Sequence, residues 1–385
     1  MFRTPDNPAC APDEPASVAS ASNSPLQRVI ADHIRAAGGW LPFDAFMALA
    51  LYQPGLGYYA NSSRKFGAMP GSGSDFVTAP ELSPLFARAL AAQVAQALAA
   101  CDSAQLLEFG AGSGALAAGL LDALDAAGVV VADYAIVDVS GTLRERQQAL
   151  LARFGGRVRW LDRLPEMFDG VVLGNEVLDA MPVQLLHFDG STWLERGVAL
   201  HADGFAWADR PTLLRPPVEA DACAAFLPGT VIEIHPQAEA FIHTLAGVLR
   251  RGVALFIDYG FPEAEFYLPQ RLGGTLMCHR AHQADADPLV DVGLKDITAH
   301  INFTRIALAA QDAGLSVIGY TSQARFLLNC GLVPLLESAN LAGRTMAQRL
   351  INEHEMGELF KVIALARNVV LDPLGFAQGD RTHRL

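Results

Sequence analysis

The chain has 385 residues, 51% of them hydrophobic and 18% charged, which is ample for a large core and excludes a disordered protein. Its formal net charge is −13, and no basic stripe is interleaved with aromatics, which argues against nucleic acid as a partner. Five cysteines (Cys10, Cys101, Cys223, Cys278 and Cys330) show no CxxC spacing and read as free thiols in a reducing compartment.

From the N-terminus, the first 24 residues are rich in Ala, Pro and Ser, carry Asp6, Asp13 and Glu14, and predict a disordered tail without the apolar stretch of a signal peptide. No apolar run reaches the roughly 18 residues of a membrane span, so no membrane partner is expected. Helical spacing predicts a helix from Leu26 to Ala37, ended by Gly38-Gly39, and a second from Phe43 to Leu51. A glycine-rich loop follows, and then an Ala-rich helix from about Ser83 to Ala100.

The middle of the chain alternates strand and helix. Strands are predicted at Gln105–Phe109, Tyr134–Val139, Val158–Leu161 and Gly170–Leu173, with helices at Gly114–Ala127 and Gly141–Phe154. Gln184–Asp209 reads as a meander with turns at Asp189-Gly190 and Asp203-Gly204. A helix at Gln237–Leu249 and a strand at Val253–Asp258 follow. A helix at Phe303–Ala313 and strands at Ser316–Tyr320 and Phe360–Ala366 come last. This alternation, with near-continuous apolar strands, predicts a doubly wound α/β sheet. The expected organisation is a tail over 1–24, N-terminal helices and a glycine-rich loop over 25–100, and an α/β domain over 101–385. Insertions at the sheet's edges are expected at about 184–228 and 261–300.

LLEFGAGSGALAAGLL is a strand, a glycine turn and a helix. Gly110, Gly112 and Gly114 permit positive φ and let a ligand approach the backbone, and the helix start favours an anion. Two ligands suit this pattern. A dinucleotide such as NAD matches through Gly110, Gly112 and Ala115. S-adenosylmethionine (SAM) would instead present its carboxylate. In both cases Asp138, after the second strand, is placed for ribose hydroxyls, and Asp162, after the third, for the adenine amino group.

GNEVLDAMPV follows the fourth apolar strand. Ending a buried strand on a carboxylate is costly unless something is bound there. If a helical turn begins at this point, Glu176 and Asp179 share a face and Asn175 caps it. Cys278-His279 with His282 matches no standard zinc spacing, and no metal is expected. His300 reads as a loop or packing histidine with a place on a pocket wall as the alternative, and Trp193 and Trp207 as core or partner-facing residues.

The stretches LALYQPGLGYY, SDFVTAPELSPLF, LLEFGAGSGAL, YAIVDVSGTLRERQ, NEVLDAMPV, IDYG, GGTLMCHRAH and DITAHINFTRIA run in order from about residue 45 to 310. In these the chain resembles the MidA-type SAM-dependent methyltransferases, whose mitochondrial members are complex I assembly factors that dimethylate an arginine. The resemblance implies a Rossmann-like methyltransferase sheet with an N-terminal helical region and β-rich insertions. It implies SAM as cofactor and, as partner, a protein carrying an arginine, such as a complex I subunit. It places cofactor-binding roles on Glu108, Gly110, Gly112, Gly114 and Asp138, and on Thr78, Pro80 and Glu81 of the loop that also holds Asp75 and Phe76. It places catalytic roles on Asn175, Glu176 and Asp179. Ser74, Ala111, Ser113 and Asn302 depart from the family's usual residues, Asn302 standing where an acid is common. The implied compartment is the bacterial cytoplasm, or the mitochondrial matrix in a eukaryote. An NAD-dependent oxidoreductase and a non-catalytic assembly protein that keeps the fold are the alternative readings. Oligomeric state is not legible.

Overall fold

The computed structural model describes residues 24–61, 77–201, 204–218 and 226–385. The expected tail up to residue 23, the positions Ser74, Asp75, Phe76 and Asp203, and Cys10 and Cys223 lie outside the described residues.

Seven strands run through the central sheet: β1 (Gln105–Phe109), β2 (Asp133–Val137), β3 (Val158–Leu161), β4 (Phe168–Asn175), β5 (Leu249–Phe261), β6 (Ser316–Ser322) and β7 (Phe360–Arg367). Their order is β3-β2-β1-β4-β5-β7-β6, and a two-residue strand, Ile301–Asn302, pairs with the end of β5. The first five strands in this order are parallel, and β7 lies antiparallel between β5 and β6. The order reverses between β1 and β4, so the crevice beyond their carboxyl ends is where a ligand seats in such a sheet.

Ten helices of seven residues or more accompany the described strands: α1 (Pro25–Ala36), α2 (Phe43–Tyr52), α3 (Pro84–Cys101), α4 (Ala115–Ala126), α5 (Gly141–Leu151), α6 (Pro236–Val248), α7 (Phe303–Asp312), α8 (Gln323–Asn329), α9 (Leu332–Ser338) and α10 (Leu341–Ile351). Strand alternation divides the core into two layers. Val253, Leu255 and Ile257 of β5 face α3, α4 and the α8–α10 group, whereas Ala254 and Phe256 face α6 and α7. Both faces are covered, which is why these strands read as continuous apolar runs. Helix α3 has the length and apolar composition of a membrane-crossing helix, which the expectation of no such run passed over. Leu85, Phe86, Leu90, Val94, Leu98 and Cys101 of this helix are buried in the first core layer.

The two insertions are sheets. Gln184–Phe188, Trp193–His201, Gly204–Pro211 and Val231–Ile234 form an antiparallel sheet that also takes in Leu41–Pro42 ahead of α2. Met277–Arg280, Gln283–Asp285 and Asp296–Thr298 form a three-stranded one. One core joins these pieces: Ile30 and Ile34 of α1, Phe46 of α2, Val183 just ahead of the meander and Val198 within it, and Ile297 of the small sheet with Ala299 just after it. Trp193 is buried in a separate outer cluster, while Trp207 is partly exposed beside Phe43.

Candidate active site

The turn after β1 is built by glycines at positive φ: Gly110 at 61°, Gly112 at 54° and Gly114 at 86°. A side chain on Gly110 would place its Cβ 3.1 Å from Val177 Cγ2, so the approach of the β4 loop requires glycine there. Gly110 N–H donates to Val137 O at 2.9 Å, tying this turn to the end of β2. There Asp138 accepts from Ser140 N at 2.9 Å and from Gln147 Nε2 at 2.7 Å. The same Gln147 nitrogen donates to Gly112 O at 2.9 Å, and its oxygen accepts from Trp160 Nε1 at 2.8 Å. Gln147, fully buried on α5, is therefore a strut between the glycine turn and the acid. Sequence reasoning missed it, because a glutamine on a polar helix carries no signal of its own.

At the end of β1, Glu108 is buried and accepts from Tyr134 Oη at 2.8 Å. Burial pushes its carboxyl up to about 8, against the pull of that hydrogen bond. Asp138 is also raised, by burial.

β4 runs past the predicted end at Leu173 and includes Asn175. The helical turn expected at Asn175 does not form. Glu176 instead takes a left-handed backbone, φ 54°, and its N–H donates to Ile257 O at 2.9 Å. The cause is tertiary: the next three amides, of Val177, Leu178 and Asp179, converge at 3.2, 2.9 and 3.2 Å on Oδ2 of Asp258 at the end of β5. Asn175 does not cap; its Nδ2 donates to Glu176 Oε1 at 3.0 Å. Tyr259 Oη donates to Asp179 Oδ2. Burial, with Asp179 close by, pushes the Glu176 carboxyl up to about 8, and burial pushes Asp179 up to about 6.

These groups border one cavity of about 880 Å³. Of the residues singled out from the sequence, Thr78, Pro80, Glu81, Glu108, Gly110, Gly112, Asp138, Asn175, Glu176 and Asp179 line it. Gly114 does not; it starts α4 against Gln147 and Leu151. Asp162 does not either. It is exposed and paired with Arg144 at 2.6 Å, away from the crevice, so the expected contact with an adenine is not supported by its position. Tyr52, Tyr59, Tyr259, Asp296, Thr298 and His300 complete the far wall. Tyr52 and Tyr59 stack at 5.6 Å, with Tyr52 Oη donating to Ala180 O at 2.7 Å and Tyr59 Oη to Asp296 Oδ2 at 2.8 Å. The His300 ring lies 5.2 Å from that of Tyr259, and burial pushes its pKa down to about 4, so it is neutral. Asn302, where an acid is common, caps α7 by accepting from Arg305 N at 3.2 Å.

Among the described residues, six carboxylates (Glu81, Glu108, Asp138, Glu176, Asp179 and Asp296) line the cavity and no Lys or Arg does. A lining of this kind suits a cationic ligand. No group of three metal-binding side chains occurs among the described residues.

A family model described as an S-adenosyl-L-methionine-dependent methyltransferase matches residues 88–321. Relatives include the "Protein arginine methyltransferase NDUFAF7, mitochondrial" of Mus musculus, 28% identical over 89% of this chain and 84% of its own. The Caenorhabditis elegans homolog of that name is 25% identical over 88% and 86%. Among solved structures, a Burkholderia thailandensis protein bound to S-adenosyl-homocysteine is 50% identical. It superposes with a TM-score of 0.91 over 97% of this chain and 99% of its own. A second Burkholderia thailandensis structure, 48% identical, has a TM-score of 0.85 over the same shares.

Proposed function

This chain belongs to the S-adenosyl-L-methionine-dependent methyltransferase family, and from that premise we propose that it methylates an arginine side chain of a protein. The observation that carries the reading is the pairing of two acids, half-buried Glu176 and buried Asp179, on a cavity that also holds the glycine turn and has no lining cation among the described residues. Names of relatives at 25–28% identity support arginine as the target. The family resemblance favours a respiratory complex I subunit as the protein.

The residues present fit the cofactor. Gly110 leaves the backbone open where a Cβ would meet Val177. Asp138 keeps carboxylate lone pairs for hydroxyl groups beside the two donors it already has. Asn175 Oδ1 is a buried acceptor with no hydrogen-bond partner among the described residues, suited to an ammonium donor. In this assignment Glu108, Gly110, Gly112 and Asp138, with Thr78, Pro80 and Glu81 opposite, hold the cofactor, which when bound supplies an electrophilic sulfonium methyl.

The chain's own task is to present a nitrogen to that methyl. A guanidinium is flat, always protonated, and donates five hydrogen bonds. Glu176 and Asp179 accept from it through charge-assisted pairs. Its charge favours their ionised forms, so both carboxyls, raised by burial, fall as the substrate seats. Binding therefore releases protons near neutral pH. Fixing one nitrogen in line contributes up to ~7–11 kcal/mol in favourable cases, and Glu176 accepts the proton that the nitrogen gives up after transfer.

The test is tritiated methyl transfer from the cofactor into a lysate of cells lacking the gene, followed by hydrolysis and separation of methylarginines. Label in arginine is expected. Glu176→Gln keeps affinity for S-adenosyl-homocysteine by calorimetry and loses transfer on the order of a hundredfold. Label in another residue class removes the arginine reading, and undiminished transfer by that variant removes Glu176 from the mechanism. Tight product binding with no transfer at all favours a binding protein that keeps the fold.

A further inference from the structure

The segment carrying Glu176 and Asp179 has little local reason to hold its shape. Glu176 is a non-glycine residue at φ 54°, a conformation that costs on the order of 1–3 kcal/mol and persists only where surroundings impose it. What imposes it lies eighty residues on, in the Asp258-Tyr259 pair at the end of β5. Asp258 is fully buried and does not line the cavity. One of its oxygens accepts the three consecutive amides after Glu176, and the other accepts Tyr259 N at 2.9 Å. Tyr259 reaches past it to donate to the side chain of Asp179. The backbone of the acidic segment and the side chain of its second acid are thus gripped by adjacent residues of one strand.

We propose that Asp258 and Tyr259 are positioning residues that hold Glu176 and Asp179 at the spacing that grips the guanidinium. This rests on the role given to those two acids above. β5 is paired with β4 up to Ile257, opposite Asn175, and with β7 through Asp258 and Tyr259, opposite Lys361 and Phe360, so the grip is anchored in a strand held by the sheet. Tyr259 also packs edge-on against His300 and Phe360, which fixes its ring. The groups facing Asp179 are Glu176, Asp258, Tyr259, Tyr52 and Tyr59; of these side chains Tyr259 donates a hydrogen bond to its carboxylate, beside the backbone amides of Asp179 and Ala180. Removing that donor disfavours the ionised form of Asp179.

The experiment compares Asp258→Asn, Tyr259→Phe and the unaltered protein by amide exchange mass spectrometry and by the transfer assay. In Asp258→Asn, an amide NH₂ replaces one accepting oxygen. Exchange across residues 174–181 is expected to quicken while the other strands stay protected. Maximal transfer falls ten- to a hundredfold, with KM for the cofactor within about twofold. In Tyr259→Phe, which leaves the backbone grip intact, the acidic limb of the pH–rate profile moves up by about one unit. Unchanged exchange in the first variant, or quickened exchange with full transfer, overturns the proposal. So does an unmoved acidic limb in the second. Should Glu176→Gln transfer normally, the role given to the acids falls, and the exchange measurement still decides whether Asp258 anchors the segment.

Discussion

Gly110 shows how much one missing side chain does. Its φ of 61° strains any other residue, and the 3.1 Å gap to Val177 Cγ2 makes a Cβ there push its neighbour. A Gly110→Ala variant adds about 1–2 kcal/mol of backbone strain and pushes the β4 loop away. We expect the folded protein to survive with affinity for S-adenosyl-homocysteine weakened at least about tenfold, read by calorimetry. Glu176 is the opposite case, a residue that keeps its side chain and tolerates the same backbone region because Asp258 enforces it. The glycines were legible in the sequence because their spacing between strand and helix has few other uses. The conformation of Glu176 was not, because its determinant is a carboxylate on another strand. Asp162 misled for a related reason: an acid after a strand looks the same whether it faces the crevice or pairs with Arg144 in solvent.

At the scale of elements, the strands and helices of the central sheet lie where periodicity puts them, within a few residues at their ends. β5 grew most, from six expected residues to thirteen, because pairing with β4 and β7 extends it beyond its apolar centre. Helices α8 to α10 had no counterpart in the sequence reading, being short and weakly patterned. Of the far wall, His300 was the one residue given a place on a pocket wall from the sequence. Tyr52, Tyr59 and Asp296 meet across some 240 residues of chain, a juxtaposition that no local pattern encodes. Helix α5 supplies a prediction of its own. Gln147→Leu keeps the side chain's bulk but leaves Gly112 O and Asp138 without their shared donor. Affinity for S-adenosyl-homocysteine should weaken about tenfold by calorimetry, while the far-ultraviolet dichroism stays unchanged.

The whole molecule carries the cost of its acid-lined cavity. Glu108 and Glu176 are pushed up to about 8 and Asp179 to about 6, above the range of these groups in an unfolded chain. A carboxyl whose folded pKa is raised binds more protons in the fold, so its contribution is complete below the unfolded pKa and is lost as pH rises through the folded one. Tm should therefore fall from about pH 5 to about pH 8, and Glu176→Gln should flatten that decline in differential scanning calorimetry. A flat Tm in the unaltered protein would show that these groups are not held protonated.

The shared core of α1, α2, the meander and the small sheet bears on how the chain emerges from the ribosome. Ile30, Ile34 and Phe46 are made early, yet Val183, Val198, Ile297 and Ala299, which cover them, come some 140 to 270 residues later. For most of its synthesis the nascent polypeptide exposes greasy helices that have nowhere to dock. This stretch also carries two of the aromatic groups that later face the acids, Tyr52 at the end of α2 and Tyr59 in the turn after it, so the wall opposite the acids is completed only once the last of that cover has been translated.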